Sequence, residues 1–503
     1  MHGADTRARA STSELVVVAN RLPVRHDGGP DGEWRPSPGG LATALTSVLR
    51  NRQGIWVGWD GEADGTEAPP ELDGIAMRSV AISKEEYEEF YLGFSNATLW
   101  PLYHDAVRTP SFHREWWHAY RELNGRFAAA AAEAVATRGT VWVHDYQLQL
   151  VPAMLRAMRP DVRIGFFLHI PFPPRELFMQ LPWRRDILEG LMGADLVGFQ
   201  LPGAAGNFAR LARRLTGARG TLAAMQYEGR TVQVGAFPIS VDCDVLAQRA
   251  ADPAVQARAD EIRHELGDPE LVLLGVDRLD YTKGIDQRIR ALAELLDDGT
   301  ISPTRHVLVQ VAVPTREEDA HYQSERRQLE QIVSEVNGEH SIVGHPVLHY
   351  LHQNLELDEL VSMYLAADVM LVTPYRDGMN LVAKEYVATR RDLTGRLVLS
   401  EFAGAAAELQ GAFLVNPHDL EGMKEAIRAA ILVDPRSARS RMLRMRRAVL
   451  RRDVHVWAES FLAALEAAPQ GGDDDGDGAD HPASRSGPAD EVLEDSDGRG
   501  AGS

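Results

Sequence analysis

Positively charged side chains follow two short apolar runs in the second half of the sequence. Arg278 and Lys283 come just after the run at 271–276, and Arg316 follows the run at 306–312. Arginine forks match the geometry of phosphate oxygens, and cations clustered in an acidic chain favour phosphate ligands over surface salt bridges. We therefore predict that these three residues bind phosphate groups.

The segment 373–385 is the richest in groups that can bind a nucleotide sugar, because it joins an apolar run to a helical pattern. The amides of residues 378–381 can hold a pyrophosphate at the helix N-terminus. Asp377 can accept from sugar hydroxyls, and Glu385 from ribose hydroxyls. A capped helix start with solvated acids accounts equally well for the segment taken alone.

Three further candidates lie in the first half of the sequence. Arg21 follows the first apolar run, and Gly39-Gly40 opens a helix, where glycines allow close approach to an anion. A plain turn explains the glycines equally well. Asp145 and His169 each end an apolar run, but from the pattern alone a helix N-cap and a structural histidine are the better interpretations.

Metal-ligand spacing is lacking in this sequence. Cys243 is the single cysteine, so the chain can form neither an internal disulfide nor a cysteine zinc cluster, and there is no HExxH pattern. The acids around Asp473 match only the first half of a calcium loop, which a solvated tail explains better. The sequence predicts no metal centre and no cofactor.

Short apolar runs alternate with longer helical patterns, in two series. Near-continuous apolar runs are typical of parallel strands buried on both faces, and their alternation with helices indicates doubly wound α/β sheets that bind ligands at the carboxyl ends of the strands. The predicted strands span residues 15–19, 55–58, 141–144, 164–168, 196–199 and 232–237, and then 271–276, 306–312, 369–373, 397–400 and 413–415.

The two series predict two doubly wound, Rossmann-like domains that face each other across a cleft, with the break near residues 239–243. The expected division is a disordered lead (1–13), an N-terminal domain (14–240), a C-terminal domain (241–467) and a disordered acidic tail (468–503). Helices are expected between the strands, at 41–50, 116–136, 208–215, 254–266, 286–296, 326–336 and 357–366.

Composition excludes several classes of function. The formal net charge of the 503 residues is −20, so nonspecific nucleic-acid binding, which needs a basic surface, is not expected. No run approaches the ~20 apolar residues of a membrane span, and no secretory signal opens the chain. We expect a cytoplasmic protein; its oligomeric state stays open, and a homo-oligomer is compatible with the sequence.

An ordered set of motifs resembles the trehalose-6-phosphate synthases, retaining glycosyltransferases with the GT-B fold. The resemblance runs from about residue 15 to residue 457. Its motifs are ANR at 19–21, GGL at 39–41, YLGFSNATLWP at 91–101, WVHDY at 142–146, FLHIPFP at 167–173, RLDYTKG at 278–284 and DGMNLVAKE at 377–385.

The resemblance implies a role for each motif residue. Glucose 6-phosphate would be held in the N-terminal acceptor domain by Arg21, Tyr91, Trp100 and Asp145, and by Arg316 from the C-terminal nucleotide-sugar domain. Asp145, His169, Arg278, Lys283 and Asp377 would form the catalytic group. The nucleotide-glucose donor would contact Gly40, Arg278, Lys283, Leu355, Asp377, Gly378, Met379, Asn380, Leu381, Val382, Ala383, Lys384 and Glu385.

The implied reaction transfers glucose from UDP-, GDP- or ADP-glucose to glucose 6-phosphate with retention of configuration. The leaving diphosphate would take the proton of the acceptor hydroxyl, so cations rather than a carboxylate nucleophile would stabilise the developing charge. The rival interpretations are a glycosidase, which leaves the cations unused, a relative with glycerol phosphate as acceptor, and an inactive sensor of sugar phosphates.

Overall fold

The computed structural model of the protein describes residues 12–26, 34–36, 45–46, 49–50, 52–64, 71, 74–316 and 319–469. The predicted helix at 41–50 lies largely outside these residues, and the predicted tail almost wholly so. Within them, the chain forms two large sheets and a small hairpin. The hairpin strands are β2 (Val24–His26) and β3 (Trp34–Pro36).

The first sheet has nine strands in the order β5-β4-β1-β6-β7-β8-β11-β10-β9, and only β10 pairs antiparallel with its neighbours. The strands are β1 (Ser13–Arg21), β4 (Ile55–Trp59), β5 (Ala76–Ser79), β6 (Val135–His144), β7 (Arg163–Phe167), β8 (Leu196–Phe199), β9 (Arg219–Gly220), β10 (Ala224–Tyr227) and β11 (Arg230–Ala236). Strand β1 starts at Ser13, one residue before the predicted start of the N-terminal domain at residue 14.

The second sheet has six parallel strands in the order β14-β13-β12-β15-β16-β17. The strands are β12 (Leu271–Arg278), β13 (His306–Val313), β14 (Leu348–Leu351), β15 (Val369–Val372), β16 (Arg396–Ser400) and β17 (Phe413–Val415). Every residue of β15 is buried, as the continuous apolar pattern predicts. The sequence pattern does not predict strand β14, because His349 and Tyr350 interrupt its apolar run.

Helices connect the strands on both faces of each sheet. Before the second sheet they are α1 (Lys84–Glu86), a π-type segment (Tyr87–Leu99), α2 (Trp100–Tyr103), α3 (Arg114–Ala134), α4 (Val151–Met158), α5 (Arg175–Phe178), α6 (Arg184–Leu191), α7 (Pro202–Leu215), α8 (Cys243–Ala251) and α9 (Pro253–Glu265). They continue as α10 (Ile285–Asp297), α11 (Ala320–His340), α12 (Leu357–Ala366), α13 (Leu381–Thr389), α14 (Leu420–Leu432), α15 (Pro435–Arg451) and α16 (Val454–Glu466).

Strand order places the site residues at two switch points. In the first sheet the chain runs from β1 outward to β4 and β5, then returns to β6 on the other side of β1. In the second sheet it runs from β12 to β13 and β14, then returns to β15. Crevices open at such reversals, beyond the carboxyl ends of the strands. At the first reversal, Arg21 ends β1 and Asp145 follows β6. At the second, Arg278 ends β12 and Asp377 lies in the loop after β15.

The last helix, α16, packs on the first sheet although the chain has by then built the second. Phe461 stacks on Trp142 at 4.7 Å between ring centroids. It also covers Gly165 and Gly198, where an added Cβ would come within 2.8 and 2.6 Å of its ring. Residues 454–466, which the sequence pattern assigns to the C-terminal domain, therefore help to complete the core of the first sheet.

Candidate active site

Cations from both halves of the molecule lie against three aromatic rings. The guanidinium of Arg21 lies 4.2 Å from the ring centroid of Trp59 and 5.8 Å from that of Tyr91. From the other side of the cleft, Arg316 and Arg278 lie 4.6 and 5.4 Å from the ring of Trp100. The arrangement gives a cationic pocket with aromatic walls, which suits a phosphate ester.

Tyr91 reports the positive potential of this pocket. Burial by itself would raise the pKa of its hydroxyl, but the charges of Arg316, Arg21 and Arg278 outweigh burial and lower it. Three arginines with so strong an effect on one phenol also stabilise an anion placed among them.

Arg316 is more tightly held than the sequence suggested. Its side chain is almost fully buried and donates to Asp280 at 3.1 Å, to the hydroxyl of Tyr322, and to Tyr146 at 3.4 Å. A phosphate that reaches Arg316 must therefore share the guanidinium with a carboxylate. Burial would raise the pKa of Asp280, but Arg316 and Lys283 lower it well below its usual value.

Lys283 and Asp377 form an ion pair at the mouth of the second switch point. Lys283 Nζ lies 2.7 Å from Asp377 Oδ2, and the side chains are only 8% and 16% exposed. Burial would raise the pKa of Asp377, but the charge and hydrogen bond of Lys283 lower it. The pair puts a fixed cation at the site that the resemblance assigns to the diphosphate.

The loop after β15 is shaped by its own side chains. Asp377 Oδ1 accepts from the amide of Met379 at 3.2 Å, and Asn380 caps helix α13 through Ala383 N at 3.1 Å. Gly378 faces the first sheet so closely that a Cβ would lie 2.2 Å from the carbonyl oxygen of His169. The second domain thus touches the carboxyl edge of the first sheet through a glycine.

Asp145 and His169 lie side by side at the carboxyl edge of the first sheet. Asp145 Oδ1 accepts from the backbone amide of His169 at 3.1 Å. Burial raises the pKa of Asp145 to about 6 and lowers the pKa of His169 to about 3. Asp145 has φ 75° and ψ 171°, a region that is essentially restricted to glycine and that marks stored strain at functional sites.

Comparison with known proteins assigns the chain to a family. The model of glycosyltransferase family 20 matches residues 13–467. The chain belongs to glycosyltransferase family 20. It is therefore a glycosyltransferase, and the predicted α/β fold, with two parallel-sheet domains in the GT-B arrangement, is confirmed.

Relatives within family 20 share most of the chain. A trehalose-6-phosphate synthase of Mycolicibacterium smegmatis is 56% identical over 488 residues, which cover 95% of this chain and 97% of the relative. A Burkholderia xenovorans UDP-forming α,α-trehalose-phosphate synthase in complex with glucose-6-phosphate is 33% identical at a TM-score of 0.83, over 90% of this chain and 100% of the other. An E. coli trehalose-6-phosphate protein bound with UDP-2-fluoro glucose is 34% identical at a TM-score of 0.82, over 90% and 99%.

Most residues predicted for the family 20 site are gathered at this cleft, but three of the predicted donor-binding groups are already bound within the chain. The side chain of Lys384 is fully buried, where it donates to the carbonyl of Ile239 at 2.7 Å and pairs with Glu408 at 2.8 Å. The amide of Ala383 is already bound to the Asn380 cap. Neither group is free to bind the nucleotide sugar, and the amide of Met379 is already bound to Asp377 Oδ1. The amides of Leu381 and Val382 have no acceptor within their own helix turn and remain available.

The structure describes two more of the residues predicted to bind the nucleotide sugar, and a third lies outside the described residues. Glu385 is half-buried, accepts from Tyr364 at 2.8 Å, and has a pKa raised by burial. Leu355 lies half-buried against the core, within the loop that follows β14. Gly40 is not among the residues that the structure describes, and its predicted contact with the donor stays a prediction.

Sequence reasoning missed the residues that hold the cations in place. Asp280, Tyr322 and Tyr146 fix Arg316, and His104 stacks on Trp100 at 4.1 Å beside the Lys283–Asp377 pair. Burial, together with the charge of Lys283, lowers the pKa of His104 to about 4. The sequence offered one signal for these residues: Asp280 and Tyr146 stand close to candidate site residues just after strand ends. Within the described ranges, no group of three His, Cys, Asp or Glu residues could hold a metal ion, and no helix could span a membrane.

Proposed function

We propose that the protein is a trehalose-6-phosphate synthase that transfers glucose from UDP-glucose to glucose 6-phosphate with retention of configuration. The observation that carries the proposal is the convergence of Arg21, Arg278 and Arg316 on Tyr91 and Trp100. One pocket beside the sugar-binding edge accepts a phosphomonoester, and Lys283 lies on the side where a diphosphate would leave. The structural relatives that are UDP-forming or bind a UDP-sugar support the choice of UDP.

Charge development explains why this site uses cations. As the bond from glucose to the diphosphate breaks, negative charge grows on the leaving oxygen, and Arg278 and Lys283 are placed to stabilise it. That oxygen lies on the face from which the acceptor hydroxyl attacks, so it can take the hydroxyl proton. Asp377, paired with Lys283, is then free to accept from glucose hydroxyls rather than to act as a nucleophile.

The direct test is product analysis with the purified protein. UDP-glucose and glucose 6-phosphate are expected to give UDP and an α,α-1,1-linked disaccharide phosphate, identified by proton and carbon NMR. GDP-glucose, ADP-glucose and glycerol 3-phosphate are the matched alternatives, and we expect each to turn over more slowly. Faster transfer to glycerol 3-phosphate, or an inverted linkage, would contradict the proposal.

Two alanine variants separate the pockets. Arg21→Ala is expected chiefly to raise the KM for glucose 6-phosphate, because contacts to a phosphate remote from the reacting hydroxyl change little during the reaction. Arg278→Ala is expected to lower kcat about a hundredfold, as for one oxyanion donor. Arg21 is a better choice than Arg316 for this test, because removing Arg316 would also leave the buried Asp280 without its ion-pair partner. An unchanged KM in Arg21→Ala would remove it from the acceptor site.

A further inference from the structure

A second histidine lies directly behind His169. His144 Nδ1 is 3.1 Å from His169 Nε2, and the two rings are stacked with centroids 5.3 Å apart. His144 is fully buried, while His169 is half-buried at the edge of the sheet. Since Nε2 of His169 is engaged by His144, Nδ1 is the ring nitrogen that is left for a ligand.

Both rings are neutral at ordinary pH, so one must donate and the other accept. Burial lowers the pKa of His169 to about 3, and burial together with His169 lowers the pKa of His144 well below its usual value. Neutral imidazole has one N–H and one lone pair. The question is therefore which of the two rings supplies the proton between Nδ1 of His144 and Nε2 of His169.

The surroundings of the second nitrogen of His144 decide this. His144 Nε2 is buried and has no hydrogen-bond partner within the described chain, and the same holds for the indole N–H groups of Trp142 and Trp457. Their ring centroids lie 4.6 and 6.4 Å from that of His144. A lone pair on His144 Nε2 complements these two donors, whereas a proton there would add a third buried donor without an acceptor.

We propose that His144 is a positioning residue that donates from Nδ1 to His169 Nε2 and so holds His169 in the Nδ1–H tautomer. His169 then offers an N–H to a hydroxyl oxygen of the transferred sugar and takes up no proton during the reaction. The contact with the sugar rests on the proposed function, but the tautomer does not. Asp145, the next residue after His144, accepts from the backbone amide of His169. Two consecutive residues at the end of β6 therefore fix the ring and the backbone of His169.

The tautomer is tested first in the unliganded full chain with ¹⁵N-labelled histidine. His169 is assigned by the signal that disappears in His169→Phe. We expect a protonated Nδ1 and an unprotonated Nε2 for His169, and in His144→Phe a shift toward the Nε2–H form. A protonated Nε2 in the unmodified protein, or an unchanged tautomer in His144→Phe, would overturn the proposal.

Kinetics then test what the tautomer does. His144→Phe is expected to lower kcat/KM for the donor about tenfold, as for one neutral hydrogen bond, and to leave the KM for glucose 6-phosphate unchanged. His144→Asn, whose amide nitrogen can replace Nδ1, is expected to recover most of the loss and serves as the test if the Phe variant does not fold. Equal losses in both variants, or a shifted tautomer with unchanged donor kinetics, would refute the positioning role. A wrong proposed function would instead show as a different product with the tautomer intact.

Discussion

The ion pair between Lys283 and Asp377 gives a prediction in which stability and activity change separately. Lys283→Met removes the cation and keeps the length of the side chain. Asp377 is then left as a nearly buried carboxylate without its paired cation. Because both side chains are well shielded and their atoms are 2.7 Å apart, the pair is close to the fully buried case.

Removing one partner of a buried pair costs about 3–5 kcal/mol. For a domain of this size that corresponds to a fall in melting temperature of roughly 6–20 °C. The sign with pH follows from the pKa of Asp377, which Lys283 lowers against the effect of burial. The stabilisation from the pair is present above the ordinary carboxyl pKa of about 4 and is lost as pH falls through the folded-state pKa. The deficit of the variant is therefore largest at neutral and alkaline pH.

The double variant Lys283→Met/Asp377→Asn is the matched control, because it removes both charges. We expect it to regain most of the melting temperature at pH 8 while kcat stays at least about a hundredfold low, since the cation facing the diphosphate is still missing. Thermal unfolding between pH 5 and pH 8 and steady-state kinetics on the three proteins measure both quantities. If the double variant melts no higher than the single one, the instability has another cause; if it regains kcat, the cation is not needed for turnover.

Three further predictions concern strain, metal and the chain end. Asp145→Gly should melt several degrees above Asp145→Ala, because glycine relieves a backbone strain of about 1–3 kcal/mol that alanine keeps, while both lose activity; equal melting would disprove the strain. Turnover should persist in chelator, since Arg278 and Lys283 supply the charge that a metal would give, and loss reversed by magnesium would contradict this. Removing residues 470–503 should change the melting temperature and turnover little, because this segment is poor in large apolar side chains. Ending the chain at residue 453 should prevent folding, because α16 covers Gly165 and Gly198. Truncations assayed by thermal melting and turnover check both.

The strand pattern made the fold and the edge of the site predictable. Strands that are buried on both faces appear in the sequence as apolar runs, and parallel topology brings their carboxyl ends to one edge of each sheet. The amino-acid pattern alone therefore places Asp145 at the carboxyl edge of the first sheet, and Arg278 and Asp377 at that of the second. The contacts that surround each side chain could not be predicted in this way. Arg316 is held by Tyr322 and Asp280 through contacts that no local spacing encodes.

The donor helix shows a second limit. Lys384 and Glu385 are neighbours in the sequence, but successive residues of a helix point about 100° apart. Glu385 meets Tyr364 near the second sheet, whereas Lys384 turns away to the carbonyl of Ile239. A continuous sequence motif can therefore include residues that support the site without facing it. Only the direction of each side chain around the helix axis separates them from the residues that can contact a ligand.

The return of α16 to the first sheet has a consequence for how the chain is made and how it moves. The two domains are joined by two crossings, and these are bonded to each other, since Val454 N donates to the carbonyl of Val241 at 3.1 Å. Separating the domains would break this bond between the two crossings. The return of α16 also means that the N-terminal domain cannot close its core over Gly165 and Gly198 until residue 465 has left the ribosome. Completion of this part of the core during synthesis therefore requires nearly the whole polypeptide.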